Sequence, residues 1–164
     1  MGLPWSIEKI QGWRMHYKGV LRWQARVENC YRDGKCIGAD DAEDFLLAFF
    51  VFCYHLRDFV VETGGISPHE VDTLIQSDRV MKPCRDICNR AKHHSISKNT
   101  YGATWSLGRE FPRSSDSMPG LTHFLIAAGE KYYPLDVVRD CIRFWSNLAT
   151  SGRLAEPRNP FAQR

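Results

Sequence analysis

The stretch FLLAFFVFCY, residues 45–54, is the longest apolar run in a chain of 164 residues. It belongs to a helical pattern that begins near Asp40 or Asp41 and stops at Gly64-Gly65, and the middle of this pattern has almost no polar side. A helix that is apolar all round is buried among other elements, so the stretch predicts the central helix of a bundle. A bilayer span needs roughly 20 apolar residues, so this run is too short for one and we expect no membrane segment.

Other helical patterns lie on both sides of this central helix. Apolar residues at steps of three and four predict a first helix over residues 6–31, with Ser6 as its N-cap. A short helix opens at Ser67-Pro68, a further helix lies within residues 79–94, and a last helix starts at Pro134. The sequence therefore predicts four to five helices.

Strand signals are confined to the region before the last helix. Residues 122–133 resemble a β-hairpin that turns at Gly129-Glu130, and residues 104–107 hold one candidate strand inside a long irregular loop. The predicted fold class is mainly α, a helical bundle with a small β-hairpin before the last helix. We expect a single helical domain over residues 1–152 and a loose C-terminal tail over residues 153–164.

Composition and cysteine placement restrict the class of protein. Apolar residues make up 43% of the chain and charged residues 25%, which excludes collagen-like and low-complexity proteins. Four of the six cysteines fall inside apolar helical patterns, where cysteine is usually a small buried hydrophobe: Cys53, Cys84, Cys88 and Cys141. The first residues lack the pattern of an export signal, so we expect reduced cysteines and a cytoplasmic protein.

Charge is unevenly distributed along the chain. Residues 31–78 hold three Lys or Arg against ten Asp or Glu, whereas residues 79–113 hold eight Lys or Arg against two acids. A basic block beside an acidic one is typical of polyanion binding or of self-association through opposite charges. The alternative is a pair of solvated faces.

The most informative segment is the helix within residues 79–94. Its apolar residues share one side of the helix, and a polar side gathers Arg85, Asn89, Lys92 and His93. Arginine grips a phosphate through two hydrogen bonds, and histidine titrates near neutral pH. This side can therefore bind a phosphate and move a proton; the alternative is a solvated face that ends in a histidine favoured by the helix dipole.

Arg85-Asp86 followed by His93 on the same helix resembles the motif of the HEPN superfamily, helical bundles that often act as metal-independent ribonucleases. The strings NRAKH, residues 89–93, and YHLRDF, residues 54–59, are also similar to uncharacterised bacterial and phage proteins near that superfamily. The resemblance covers roughly residues 41–94 and the last helix.

The resemblance implies cleavage of RNA by its own 2′-hydroxyl, with no cofactor. His93 would act as general base or acid, Arg85 would stabilise the charge on the phosphorane, and Asn89, Lys92 and Arg90 would hold the phosphate. The basic block would line the cleft of a homodimer. The resemblance also implies a toxin or defence ribonuclease with a protein partner or antitoxin; the alternative is a non-catalytic module for dimerisation or protein binding.

Residues around this pair complete the predicted site. Asp86, together with His55, Arg57 and Asp58 of the central helix, is expected to support Arg85 and His93; the alternative is a contact between His55 and Asp58 within the helix. The alternative is a zinc ion, bound with the help of Cys84, Cys88, His93 and His94. We predict no metal, because both cysteines lie on the apolar side and a further ligand, Cys30 or Cys36, must come from afar. The isolated His16 and His123 are expected to serve structure.

Overall fold

A computed structural model describes residues 12–32, 35–36, 38–92, 105–110, 122–127 and 129–155. In this part of the chain, five helices and five strands follow in the order α1 (Trp13–Cys30), β1 (Tyr31–Arg32), β2 (Lys35–Cys36), α2 (Ala39–Gly64), α3 (Pro68–Ser77), α4 (Met81–Lys92), β3 (Trp105–Glu110), β4 (Thr122–Ala127), β5 (Glu130–Tyr132) and α5 (Pro134–Thr150). The mainly α fold class is confirmed, and a three-stranded antiparallel sheet takes the place of the predicted hairpin.

Helix α2 is the centre of the bundle, as its apolar pattern predicts. It packs against all four other helices. Its fully buried side chains include Leu46, Phe49, Phe50, Leu56 and Val60. Removing these side chains from water supplies most of the driving force for packing the helices around α2.

Local signals fix where the helices begin and end. Gly65 follows α2 with a φ of 73°, a left-handed conformation that suits glycine and ends the helix. The Ser67 hydroxyl accepts a hydrogen bond from the backbone N–H of Glu70, which caps α3 at the predicted residue. The Asp78 carboxylate accepts hydrogen bonds from the backbone N–H groups of Val80 and Met81, both at 2.9 Å, ahead of α4.

Long-range contacts hold the start of the first helix. Gly12 is its N-cap and has extended backbone, so the described helix α1 starts at Trp13, and the predicted cap Ser6 lies outside the described residues. Two hydrogen bonds hold this end, from the backbone N–H of Trp13 to Thr63 Oγ1 at 2.8 Å and from its indole N–H to the carbonyl of Ala155 at 2.9 Å. These long-range contacts set the helix start, and sequence periodicity does not report them. Residues 1–11 lie outside the described part of the chain.

The sheet packs beside α4 and α5. The predicted hairpin is confirmed as β4 and β5, which turn at Gly129, where φ is 79°. The candidate strand at 104–107 extends to residue 110 as β3 and pairs with β4, with Leu107 opposite Leu125. The short pairing of β1 with β2 was not predicted.

The chain after α5 is anchored for at least three residues beyond the predicted domain boundary at 152. Ala155 donates a backbone hydrogen bond to the carbonyl of Gly64 at 2.7 Å, and Leu154 packs against the core. The expected loose tail is therefore wrong for residues 153–155, because these contacts tie them to α1 and α2. Residues 156–164 lie outside the described part. None of the helices described is both long and apolar enough to pass through a membrane.

Candidate functional site

Helix α4 carries the polar side that the sequence predicts. Arg85 and Asn89 are half-buried and Arg90 is exposed, while the opposite side of the helix is buried: Val80, Cys84, Ile87 and Cys88. Ala91, a further apolar residue of this helix, is exposed, so the buried side ends at Cys88. Of the remaining candidates, His93 and His94 lie outside the described residues, as does the side chain of Lys92, the last residue of α4.

Arg85 lies where α2, α3 and α4 meet. Asp72 of α3 accepts two hydrogen bonds from Arg57 of α2, one from Nε at 2.9 Å and one from Nη2 at 2.7 Å. These bonds hold the pKa of the Asp72 carboxyl below its usual range, and the charges of Arg57 and Arg85 lower it further. Tyr54 lies in the same electrostatic environment. We call Tyr54, Arg57, Asp72 and Arg85 the Arg85 cluster.

The predicted supporting residues lie on α2 and α4. Asp58 accepts a hydrogen bond from Arg57 Nη1 at 3.0 Å. Asp86 is half-buried, and burial raises the pKa of its carboxyl although Arg85 lowers it. His55 is half-buried on α2. A helix rises about 1.5 Å per residue, so the cluster lies roughly 10 Å along α4 from Lys92, where the segment containing His93 begins.

Part of the basic block is neutralised within the chain. Arg109 of β3 donates to Asp40 from Nη2 and to Glu43 from Nε, both at 2.6 Å, and both acids come from the acidic block. Arg79 lies 3.2 Å from Glu130. The expectation that the whole basic block lines a phosphate cleft is therefore wrong for Arg79 and Arg109, because intramolecular ion pairs engage them.

A buried histidine connects the sheet to the bundle. His123 of β4 is 0% exposed; its Nδ1 lies 2.9 Å from the Tyr31 hydroxyl and its Nε2 lies 3.2 Å from Glu43 Oε1. Burial lowers the pKa of His123 even though Glu43 opposes this, and burial raises the pKa of Tyr31. The ring is therefore neutral near pH 7; its Nδ1 forms a hydrogen bond with Tyr31, and its Nε2 faces Glu43 without a well-aligned hydrogen bond. We call these three residues the His123 network.

His16 also has structural contacts. Its ring stacks on Phe52 and Phe59 of α2, with ring centroids 5.3 and 4.2 Å away, and its Nε2 donates to the backbone carbonyl of Phe52 at 2.8 Å. Burial lowers the pKa of His16. These contacts join α1 to α2, in agreement with the predicted structural role.

The exposed side of α1 presents a row of cations that sequence reasoning missed. Arg14, Lys18, Arg22 and Arg26 follow at intervals of four residues, and all four are exposed. Because four residues turn a helix by little more than one revolution, they form one continuous strip, which we call the α1 row. The other exposed residues of α1 are uncharged: Met15, Leu21, Ala25 and Asn29.

Aromatic side chains support both ends of the α1 row. The Arg14 guanidinium lies 4.7 Å from the centre of the Trp13 ring, and that of Arg26 lies 4.6 Å from the centre of the Trp23 ring. Glu28, the acid of α1, is half-buried and lies 3.6 Å from Arg139 of α5. The α1 row therefore has no acid between its members.

No protein-family model, curated protein or solved structure matches the chain.

A surface cavity of about 430 Å³ lies between α3 and α5. Its floor is apolar, formed by Leu74, Val80, Phe144 and Leu148, and its rim is charged. The arginines of the rim have acidic neighbours: Arg143 contacts Asp140, Arg153 lies 3.7 Å from Glu70, and Arg79 lies beside Glu130.

Three cysteines meet in the core. The sulfur atoms of Cys53, Cys84 and Cys141 lie within 4.8 Å of one another, and these residues come from α2, α4 and α5. Cys88 is not a member; its thiol faces the carbonyl of Val51 at 4.0 Å. In the described residues, the sulfur grouping therefore differs from the Cys84 and Cys88 pair considered for zinc.

Proposed function

We propose that the chain is a HEPN-like RNA-binding domain that holds the RNA backbone on the α1 row. The observation that carries this proposal is the set of four exposed cations on one helix side with no acid among them. Like charges four residues apart destabilise a helix by about 0.2–0.5 kcal/mol per pair. A polyanion removes this repulsion, and the counterions released from its phosphates add to the affinity.

The α1 row can bind the phosphates of any nucleic acid, and the choice of RNA rests on the HEPN resemblance of α4. The same resemblance implies a homodimer and a toxin or defence role with an antitoxin partner. These remain predictions, and size-exclusion chromatography with light scattering tests the homodimer directly.

Reversing two charges of the α1 row is expected to weaken RNA binding at least about tenfold. The variant is Lys18→Glu with Arg22→Glu, measured by fluorescence anisotropy with labelled single-stranded RNA. Both residues are exposed and glutamate is a good helix former, so the fold should persist. Removing two phosphate contacts and adding two repulsive charges explains the expected loss.

The matched control is Arg79→Glu with Lys131→Glu, an equal change of charge at exposed residues outside α1. Its affinity should stay within about threefold of the parent protein, because net charge alone acts weakly at physiological salt. Equal losses in both double variants would contradict the α1 row, and no binding by the parent chain would leave the non-catalytic protein-interaction module as the better account.

RNA cleavage is a second candidate function. It is favoured by Arg85, which lies near the Arg57–Asp72 pair on the side of α4 that also carries Asn89. Arg57 donates two hydrogen bonds to the Asp72 carboxylate, and the charge of Arg85 acts on the same carboxylate, so two guanidinium groups lie near one another at this point of the bundle. His93 would supply the proton transfer that the resemblance implies.

If this second function is present, the protein should cut single-stranded RNA in EDTA and leave 2′,3′-cyclic phosphate ends. Arg85→Ala and His93→Ala should each lower the rate at least about a hundredfold, because general acid–base groups and charge stabilisation contribute factors of this size. Asn147→Ala, an exposed change on α5, is the control. Equal inactivity of all four proteins would confine the function to binding, and the anisotropy experiment distinguishes that outcome from a failure of the binding proposal.

A further inference from the structure

The three cysteines in the core form a compact, fully enclosed group of thiols. Cys53, Cys84 and Cys141 are each 0% exposed, and each comes from a different helix. Their sulfurs lie within 4.8 Å of one another. Three sulfurs bonded to one centre at about 2.3 Å lie about 4 Å apart or closer. Shifts of less than about 1 Å would therefore bring all three onto a single ion.

The pKa of one thiol of the group is shifted in the opposite direction from the other two. Burial raises the pKa of Cys53, but interactions with Cys141, Cys84 and the indole N–H of Trp145 outweigh it and lower the pKa. Burial raises the pKa of Cys84, and its interaction with Cys53 raises the pKa of Cys141. The Trp145 Nε1 is buried and has no conventional hydrogen-bond acceptor among the described residues. The Cys84 thiol donates to the backbone carbonyl of Phe50 at 3.7 Å.

The donor set and its surroundings select the kind of ion. Thiolates prefer soft ions, and within the described chain no His, Asp or Glu joins the three sulfurs. Zinc requires a fourth ligand, which this group does not contain. A net charge in an apolar core is costly, so three thiolates around Cu⁺ or Zn²⁺ would leave an unfavourable negative charge. The complex of a trivalent ion with three thiolates carries no net charge, and the ion needs no water ligand.

We propose that Cys53, Cys84 and Cys141 form a binding site for trivalent arsenic of the arsenite class. In the binding step As(OH)₃ reacts with three thiols, three As–O bonds break and three As–S bonds form. Each thiol proton leaves with a hydroxide as water, so three water molecules are released. Nothing is oxidised or reduced, and the product is uncharged. The site links α2, α4 and α5 through one atom and would stabilise the folded bundle.

The experiment uses the full chain in a phosphine reductant, because dithiol reductants compete for arsenite. The protein is unfolded in urea and refolded with sodium arsenite, so that access to the core does not limit loading. Mass spectrometry should show one arsenic gained and three hydrogens lost. The number of thiols that react after mild denaturation should fall from six to three, and the melting temperature should rise.

Cys84→Ala and Cys141→Ala test the site, and Cys88→Ala is the matched control, since Cys88 is equally buried on α4 but outside the group. Arsenic retention should weaken at least about tenfold in the first two and stay unchanged in the third. Melting curves recorded without arsenite show which variants fold. If only one of the two site variants folds, that variant alone tests the site. A parent protein without bound arsenic, or equal retention in Cys84→Ala and Cys88→Ala, would overturn the proposal.

Discussion

Replacing His123 by alanine is expected to lower the free energy of unfolding by about 2–4 kcal/mol. The change leaves a cavity where a fully buried ring was, and it removes the partner of the Tyr31 hydroxyl. A buried polar group that loses its hydrogen bond costs about 1–3 kcal/mol, and the cavity adds to this. Urea unfolding followed by circular dichroism measures the loss.

The control for this prediction is His69→Ala, at an exposed residue of α3, which should change stability by no more than about 0.5 kcal/mol. A cost for His123→Ala no greater than that of the control would contradict the role of the His123 network.

The pH dependence of stability provides a further check on the same residue. Burial lowers the pKa of His123 below its ordinary 6.5, so the unfolded chain takes up a proton first as the pH falls. Stability should therefore fall as the pH drops below about 6.5 and level off below the folded-state pKa. His123→Ala should reduce this loss without abolishing it, because burial lowers the pKa of His16 in the same direction.

Replacing Phe49 by alanine is expected to destabilise the protein by about 3–5 kcal/mol. Phe49 is completely buried on the central helix and packs edge-on against Phe50. In a domain of this size the melting temperature should fall by roughly 10 °C or more. Phe52→Ala is the matched control on the same helix, and it should cost about 1–2 kcal/mol because that ring is 36% exposed. Similar costs at the two positions would show that α2 is not the buried centre of the bundle.

The sequence predicted the elements whose signals are local. The apolar run of α2 identified the central helix, Ser67-Pro68 located the start of α3, and Pro134 located that of α5. The turn at Gly129 revealed the hairpin because a left-handed residue was needed there. In each case the residues that cause the local structure are neighbours in the chain, so a single sequence is enough to predict the element.

The sequence did not predict features that depend on contacts between residues far apart in the chain. The start of α1 depends on Thr63 and Ala155, far along the chain from Trp13. The His123 network and the cysteine group are likewise assembled by tertiary packing. A local signal did exist for the β1 and β2 pairing, because Asp33-Gly34 is a dipeptide typical of two-residue hairpins.

The candidate site shows the same division between local and distant causes. Helical periodicity placed Arg85 and Asn89 on the polar side of α4, but it could not reveal that Asp72 of α3 lies beside Arg85. Charge totals for the acidic block and the basic block did not reveal that Arg109 of one pairs with Glu43 of the other. They also concealed the α1 row, whose signal is the spacing of four residues between successive cations.

The most direct test of the central claim is the salt dependence of RNA binding by the parent protein. Four phosphate contacts on single-stranded RNA predict a slope of about −3 for log K against log salt concentration. In Lys18→Glu with Arg22→Glu the slope should shrink to about −1.5 or closer to zero. A slope near zero in the parent protein, or the same slope in the parent and the double variant, would contradict RNA binding through the α1 row.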